Sequence, residues 1–376
     1  MMMNKIGNQQ MLRELNKSTL LNSLFFNGPI SRVDLSRQTK LSPTTVSVLI
    51  EELIQEGIVH EIGTTGTGVG RKMMMLAINA QGGYVIGLDL STAPARCVLL
   101  NLNGEFITSQ GLKPLIGEQQ LRYELPEHIS SFIEKQEIPR HLVKRIGISI
   151  PGRLDDVQNV ILASAYLKVR EFPLLSYLEE AMSIPVLLTN DLDAAGFAER
   201  FSGSAKGDHT TIFIIIERGT GAGLVLNDQI YHGSRGTAGR IQSFDSLCIH
   251  PFSDQLKKDF PDIFNELSPE ETIQNFVELA LERTAPFDHM AERIIGIIAD
   301  YCGKTLQMLN PQKLILGGWI TSNGLFFEKL VQAIHRSENS VHSPTPVVAS
   351  HWKKYGSAMG AATLGLHEIF KKKSVH

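Results

Sequence analysis

Apolar positions in the first 80 residues follow helical spacing. Leu20, Leu21, Leu24 and Phe25 repeat at i, i+3/i+4, which predicts a helix that Gly28-Pro29 stops. Ser31 can cap a short second helix, with Asp34 at the third position of a capping box and Val33 and Leu35 as its apolar face. Leu41 ends the turn. Ser42 then stands at an N-cap and Pro43 at the first position of a third helix, whose inward face is Val46, Leu49, Ile50 and Leu53. Gly57 ends that helix. Residues 58–62 read as a strand and residues 73–78 as its hairpin partner. The link between them holds four Gly and closes on Arg71-Lys72. Three helices followed by a two-stranded wing is the winged helix-turn-helix arrangement.

The texture changes near residues 79–83, where a domain boundary is expected. Residues 84–90 and 96–102 read as strands, and Asn103-Gly104 signals a hairpin into a third strand over 105–110. After a helix-rich stretch, four apolar strands end in Gly or Asp. Residues 145–150 lead into Pro151-Gly152, and 186–189 into Asn190-Asp191. Residues 211–216 precede Arg218-Gly219-Thr220-Gly221-Ala222-Gly223, and 313–316 lead into Gly317-Gly318. Strands of this kind alternating with helices describe an α/β sheet, with ligands at the carboxyl ends of the strands. Strand clusters near residue 84 and again near residue 211 suggest a two-lobed duplication.

Composition narrows the class. At 376 residues and 43% apolar the chain is globular, with two or three domains. No apolar run approaches the roughly 18 residues of a membrane span, and residues 1–12 lack a signal-peptide core, so a cytoplasmic protein without membrane contact is expected. Cys97, Cys248 and Cys302 are odd in number and far apart. They fit neither a disulfide framework nor a metal knuckle, and they suit a reducing compartment. The formal net charge of −3 weighs against a nucleic-acid partner for the chain as a whole. Residues 1–80, however, carry eight Lys/Arg against six Asp/Glu, and the remainder carries 28 against 33. The acidic balance thus lies outside the winged helix.

The start of the third helix has the chemistry of a DNA reader. Ser42, Thr44, Thr45 and Ser47 are small and polar, and can reach base edges or phosphates in a major groove. Arg32, Arg37 and Lys40 flank them, and Arg71 and Lys72 sit at the wing tip beside Gly66, Gly68 and Gly70. A Ser/Thr-rich cap alone is more often a solvated turn. Caps, helix lengths, wing and flanking bases occurring together favour double-stranded DNA as the partner.

These motifs resemble the ROK family of repressors, uncharacterised frames and sugar kinases, and within it the branch of xylose and N-acetylglucosamine repressors. The residues that carry the resemblance are Gly28-Pro29-Ile30-Ser31-Arg32-Val33-Asp34-Leu35-Ser36, Gly68-Val69-Gly70-Arg71-Lys72, Ile148-Ser149-Ile150-Pro151-Gly152, and Thr189-Asn190-Asp191 with Ala194-Ala195 and Glu199. Arg218-Gly219-Thr220-Gly221-Ala222-Gly223-Leu224, Gly236-Thr237-Ala238-Gly239 and Leu316-Gly317-Gly318 continue it. The resemblance implies an α/β fold: a winged helix-turn-helix over 1–80, then a two-lobed, actin-like and hexokinase-like ROK domain over 81–376. Lobe one is expected over about 81–195 plus the C-terminal helix, and lobe two over about 196–350.

The resemblance also implies roles. Asp191 matches the family's catalytic base, although its position equally suits a helix N-cap. Asn190 matches a sugar-binding amide. Gly219, Gly221 and Gly223 match a second phosphate loop, although a tight strand-to-strand turn needs the same residues. Three departures stand against kinase chemistry. The family's first phosphate turn is Asp-Gly-Gly-Thr, whereas this chain has Asp89-Leu90-Ser91-Thr92-Ala93-Pro94. The family's Glu-Ile-Gly-His is Arg240-Ile241-Gln242-Ser243, and only Cys248 and His250 remain of a zinc loop that needs about four ligands. Sugar-binding relatives carry an Asn near Tyr166, which this chain lacks. Arg240 offers a fork suited to carboxylate or phosphate, or else pairs with Asp191 or Asp193 in a site without a ligand. The expected effector contacts are Gly152, Tyr166, Asn190, Asp191, Gly221 and Arg240, with no catalytic residue, metal or cofactor. The expected function is a homodimeric repressor of carbohydrate-use genes, governed by a sugar or sugar-derived effector that could be anionic. The alternatives are a sugar kinase with an added DNA-binding domain, and a regulator that has lost its small-molecule effector.

Overall fold

The computed structural model describes residues 3–65, 73–155, 158–339 and 343–371. The amino-terminal segment is built from α1 (Met3–Asn27), β1 (Ile30–Ser31), α2 (Arg32–Thr39), α3 (Pro43–Gln55), β2 (Val59–Thr65) and β3 (Met73–Ile78). Local chemistry sets its boundaries. Asp34 N donates to Ser31 Oγ at 3.1 Å, and Thr45 N donates to Ser42 Oγ at 3.1 Å, so both short helices begin on a serine cap. Lys40 closes α2 in the left-handed region at φ 59°. Leu20, Leu24, Leu35, Val46, Leu49, Ile50, Leu53, Val59 and Leu76 form the buried centre. Val33, expected on the inner face, is 48% exposed. On so short a helix Leu35 fills the inward position, and Val33 lies about 200° around from it. The wing has a third strand that periodicity could not show: β1 pairs antiparallel with β3, Ile30 opposite Leu76.

The chain divides into two units, Met1–Thr189 with Ala361–His376, and Asn190–Gly360. In the first, β4 (Tyr84–Asp89), β5 (Ala95–Asn101), β6 (Phe106–Leu112), β7 (Val143–Ile150) and β11 (Val186–Asn190) form a sheet in the order β11-β7-β4-β5-β6. The helices α4 (Leu125–Lys135) and α5 (Leu174–Met182) lie in this unit, and Ile129, Phe132, Leu174 and Leu178 bury their apolar faces in one core with Ile86, Leu88, Ile146 and Ile148 of the sheet. A small antiparallel sheet of β8 (Arg153–Asp155), β9 (Val160–Ser164) and β10 (Val169–Phe172) follows β7. The strands are short and carry polar positions, so they leave no clear trace in the apolar pattern.

The second unit holds α6 (Asp191–Ser202), β12 (Thr211–Ile216), β13 (Thr220–Leu226) and β14 (Gln229–Ile230), then α7 (Ile249–Asp259), α8 (Pro261–Phe264), α9 (Pro269–Leu281) and α10 (Phe287–Leu309). After these come β15 (Lys313–Gly318), α11 (Gly324–Glu338) and β16 (Val347–Ala349). Its sheet runs β14-β13-β12-β15-β16. The connectivity repeats that of the first unit. In each, a first strand pairs antiparallel with the next in sequence and parallel with a later one: β4 with β5 and β7, β12 with β13 and β15. The long helix α12 (Gly356–Phe370) begins in the second unit and ends in the first. Among the described residues no helix is long and apolar enough to cross a membrane.

Candidate functional site

Two groups of residues matter: the exposed face of α3, and the strand ends of the two sheets. On α3, Ser42, Thr44 and Ser47 are exposed, and Thr45 is half-buried. Their hydroxyls are ordered by the helix itself. Ser42 Oγ and Thr45 Oγ1 lie 2.8 Å apart, and Ser47 Oγ donates to the carbonyl of Pro43 at 2.9 Å. The turn before α3 is held by Ser36 Oγ, which donates to the Leu41 carbonyl at 2.7 Å.

Of the flanking bases, Arg32 donates to Glu61 at 2.7 Å and has Glu51 at 3.8 Å. Arg37 pairs with Asp34 one turn back, and Lys40 is exposed. Exposed ion pairs of this kind are weak, so phosphate can displace the carboxylates. Arg71 and Lys72 lie outside the described residues. Val48, not singled out by sequence reasoning, is 52% exposed on the same helix. The signal was available in its spacing, because it falls four residues after Thr44 and between the inward positions.

In the first unit, Gly152 follows β7 at φ 131°, and a Cβ there would meet the Ala163 carbonyl at 2.4 Å. Only glycine lets this turn fold back onto β9. Tyr166 is half-buried in the β9–β10 turn, which Leu167 N closes by donating to Ser164 Oγ at 3.2 Å. Gly152 and Tyr166 therefore flank one short stretch, residues 163–166.

The other expected contacts converge in the second unit. Asn190 caps α6, its side-chain oxygen accepting from Leu192 N at 3.0 Å. Asp191 begins α6, and its carbonyl accepts from Ser357 Oγ of α12 at 3.0 Å. Gly221 lies in β13, not in a free loop. A Cβ on it would meet Leu192 of α6 at 2.3 Å, and one on Gly223 would meet the Leu192 carbonyl at 2.2 Å. Gly221 and Gly223, whose spacing matched a phosphate loop or a tight turn alike, thus let helix and strand approach closely. Gly239, at φ 74°, accepts from Ala222 N at 2.7 Å, which sets the exposed Arg240 beside β13. Asn190, Asp191, Gly221 and Arg240 are therefore borne by three segments that touch. A fourth element joins this group: Nδ1 of the exposed His232 lies 3.0 Å from Oδ2 of the buried Asp193.

Three further features bear on chemistry. Asp89 is 2% exposed, and its Oδ1 accepts from Ser91 N at 2.8 Å, Ser91 Oγ and Ser149 Oγ. Burial pushes its carboxyl above the ordinary aspartate range, with the Ser91 bonds pulling the other way. Glu199, fully buried on α6, accepts from Ser204 N, Ser350 Oγ and Trp352 N at 2.8, 2.6 and 2.9 Å. A cavity of about 650 Å³ opens at the carboxyl ends of the parallel strands β12 and β15, lined among others by Glu217, Gly317, Gly318, Trp319 and Lys353.

A zinc ion of the kind the family resemblance implies does not fit the residues present. Cys248 donates to the Phe244 carbonyl, and burial, reinforced by Asp245 and Glu217, pushes its thiol up to about 11. His250 is exposed on α7, and among the described residues no group of three His, Cys, Asp or Glu could hold a metal.

Comparison with known proteins agrees with this geometry. The profile of winged helix-turn-helix DNA-binding segments matches residues 15–60, and that of the ROK family matches residues 85–242. The chain carries a ROK family domain behind an N-terminal winged helix-turn-helix. Over 237 residues it is 30% identical to the xylose repressor of Bacillus spizizenii, a match spanning 63% of this chain and 62% of that one, less than two thirds of the relative. Over 386 residues it is 22% identical to the DNA-binding transcriptional dual regulator NagC of Escherichia coli, spanning 96% and 94%.

Among solved structures, a ROK family transcriptional regulator, a homologue of the E. coli MLC protein, superposes with a TM-score of 0.79 at 21% identity, covering 96% of this chain and 97% of that one. A ROK hexokinase from Thermus thermophilus shares the fold over 76% of this chain and 99% of its own, with a TM-score of 0.63 at 21% identity. The fold is thus that of a winged helix-turn-helix joined to an actin-like, hexokinase-like domain.

Proposed function

We propose that this protein is a transcriptional repressor of carbohydrate-use genes, acting in the cytoplasm as a homodimer on operator DNA and released or retained by a sugar or sugar-derived effector. The observation that carries this reading is the reach of α12. Within the second unit its first turns rest on the start of α6. Ser357 Oγ donates to Asp191 O, and a Cβ on Gly360 would fall 1.7 Å from the Ala194 carbonyl. Within the first unit its last turn meets α1: Phe370 stacks on Phe25 with centroids 4.4 Å apart, and His367 meets Phe26 edge-on at 5.6 Å. The first turns of α12 thus bear on the segment that carries Asn190 and Asp191, and its last turn bears on the first helix of the winged domain.

A ligand that prefers one placement of α6 shifts α12 and, through it, the winged helix. This meets the requirement that an effector bind the two states unequally. Two-fold symmetry would set two copies of α3 on a pseudo-palindromic operator. Arg240 at the same segment favours a carboxylate or phosphate on the sugar.

Catalysis is not part of the reading. Asp89, which matches the kinases' phosphate-turn aspartate, spends its acceptor oxygen on Ser91 and Ser149, and Pro94 offers no N–H to a phosphate. The test is titration of operator DNA, recovered by selection from the host genome, with and without neutral sugars, sugar phosphates and sugar acids. One class should change the dissociation constant at least fivefold. No change with any of them, at concentrations that raise the melting temperature, would exclude effector control. ATP turnover across pentoses and hexoses would support the kinase alternative.

A further inference from the structure

Resting on the reading above as a DNA-binding protein, we propose that Val48 is the base-reading residue of α3, its methyl groups packing on the 5-methyl of a thymine in the major groove. Thr44, Ser47, Val48 and Glu51 share the solvent face of the helix, because positions three and four apart fall on one side at 3.6 residues per turn. All four are exposed, whereas Val46, Leu49, Ile50 and Leu53 on the opposite side are at most 4% exposed. Val48 is 52% exposed on that face. A β-branched residue lowers helix propensity, and a half-exposed one contributes little burial. It is also stiff, with one preferred rotamer in a helix, so its two methyl groups are presented in a fixed place.

The neighbours leave it the distinctive element. The hydroxyls of Thr45 and Ser47 are turned onto Ser42 and onto the Pro43 carbonyl, and Arg32 and Arg37 are paired with carboxylates. Groups so placed suit phosphates and unselective polar contacts. An apolar group in a major groove recognises thymine, because only the A·T pair presents a methyl there. The occupant of this face is therefore duplex DNA carrying a thymine in each half-site, set by α3 within a segment that matches winged helix-turn-helix DNA-binding domains.

The test uses the full-length protein and removes methyl groups from both partners, one from thymine and the two γ-methyls from Val48. Sequences bound from a random duplex library define the preferred site, and each thymine is then replaced in turn by deoxyuracil, which lacks only the 5-methyl. At one thymine per half-site the wild type should lose about fourfold in affinity, the size of one buried methyl or methylene. Val48→Ala should lose a similar factor on the thymine site and nothing further on the uracil site. Ala is the better helix former at an exposed position, so the variant folds. Val33→Ala, which trims an exposed valine on α2, should keep the full uracil effect. Methyl dependence that survives in Val48→Ala, or no thymine whose methyl matters, overturns the role of Val48 while leaving DNA binding intact. Failure to enrich any sequence overturns the DNA-binding reading and this inference with it.

Discussion

At the scale of single residues, the clearest case of chemistry set by surroundings is Asp89. All three of its donors, Ser91 N, Ser91 Oγ and Ser149 Oγ, point at one oxygen, Oδ1. The second oxygen has Arg96 at 3.9 Å. An asparagine keeps that accepting oxygen and removes the buried charge. Asp89→Asn should therefore be at least as stable as wild type at pH 7, whereas Asp89→Ala should lose about 2–4 kcal/mol by leaving buried donors unpaired.

The sign with pH follows from the raised carboxyl. The folded protein holds its proton to higher pH than the unfolded chain, whose aspartates titrate near about 3.9. Wild type should gain stability relative to Asp89→Asn as pH falls from the folded-state pKa toward that value, and lose it as pH rises. Urea denaturation of both proteins between pH 4 and 8 measures this. A wild-type advantage that grows as pH rises would contradict it.

At the scale of elements, caps and periodicities were legible while close approaches were not. Ser31, Ser42 and Pro43 announce α2 and α3 because capping is a local hydrogen bond between neighbours in sequence. The inward face of α3 follows from spacing alone. The third wing strand, the β8–β10 sheet and the cavity at the ends of β12 and β15 depend on partners distant in sequence, and no periodicity carries them. The glycines of β13 show the limit well. Gly221 and Gly223 fit a phosphate loop or a tight turn equally from sequence, and the third option, a strand pressed against a helix, becomes visible only with α6 in place.

Gly223 tests that role. Its added Cβ would fall 2.2 Å from the Leu192 carbonyl and 3.4 Å from Gly196 Cα, so α6 must move away from β13. Gly223→Ala should cost about 2–3 kcal/mol, as for overpacking, and should shift Asn190 and Asp191 out of register with Arg240. Thermal unfolding together with loss of effector-induced stabilisation checks both consequences. Gly219→Ala, where a Cβ meets nothing within 4 Å, is the control expected to change neither.

At the scale of the whole molecule, the proposed repressor must both read DNA and sense a small ligand, and the charge along the sequence already separates the segments assigned to these tasks. The modest excess of base in residues 1–80 is what remains after close ion pairs such as Arg13 with Glu52 and Lys17 with Glu56, which tie α1 to α3. On the proposed reading, weak single-site electrostatics of this kind would make a paired arrangement on the operator effective, and would leave binding open to modulation by small changes in how the winged helices are held. The last turn of α12 is the place to interrupt that hold. Phe370 is fully buried against the half-buried Phe25, and the α12 backbone at Ala361 lies against Gly147 of β7, where a Cβ would fall 2.0 Å from its carbonyl.

Phe370→Leu keeps an apolar side chain of similar bulk while removing the stacked ring pair, worth about 0.5–1.5 kcal/mol beyond its burial. Effector binding, followed by calorimetry, should stay within about twofold of wild type, because the residues around Asp191 are untouched. The effector's influence on operator affinity should shrink by up to about tenfold, the factor that 1.4 kcal/mol represents. If the variant binds effector normally and responds on DNA as wild type does, α12 is not the route, and coupling must run through the link at residues 79–83, where Asn79 Nδ2 donates to Gly57 O at 2.8 Å and Asn79 N to Ile58 O at 2.8 Å.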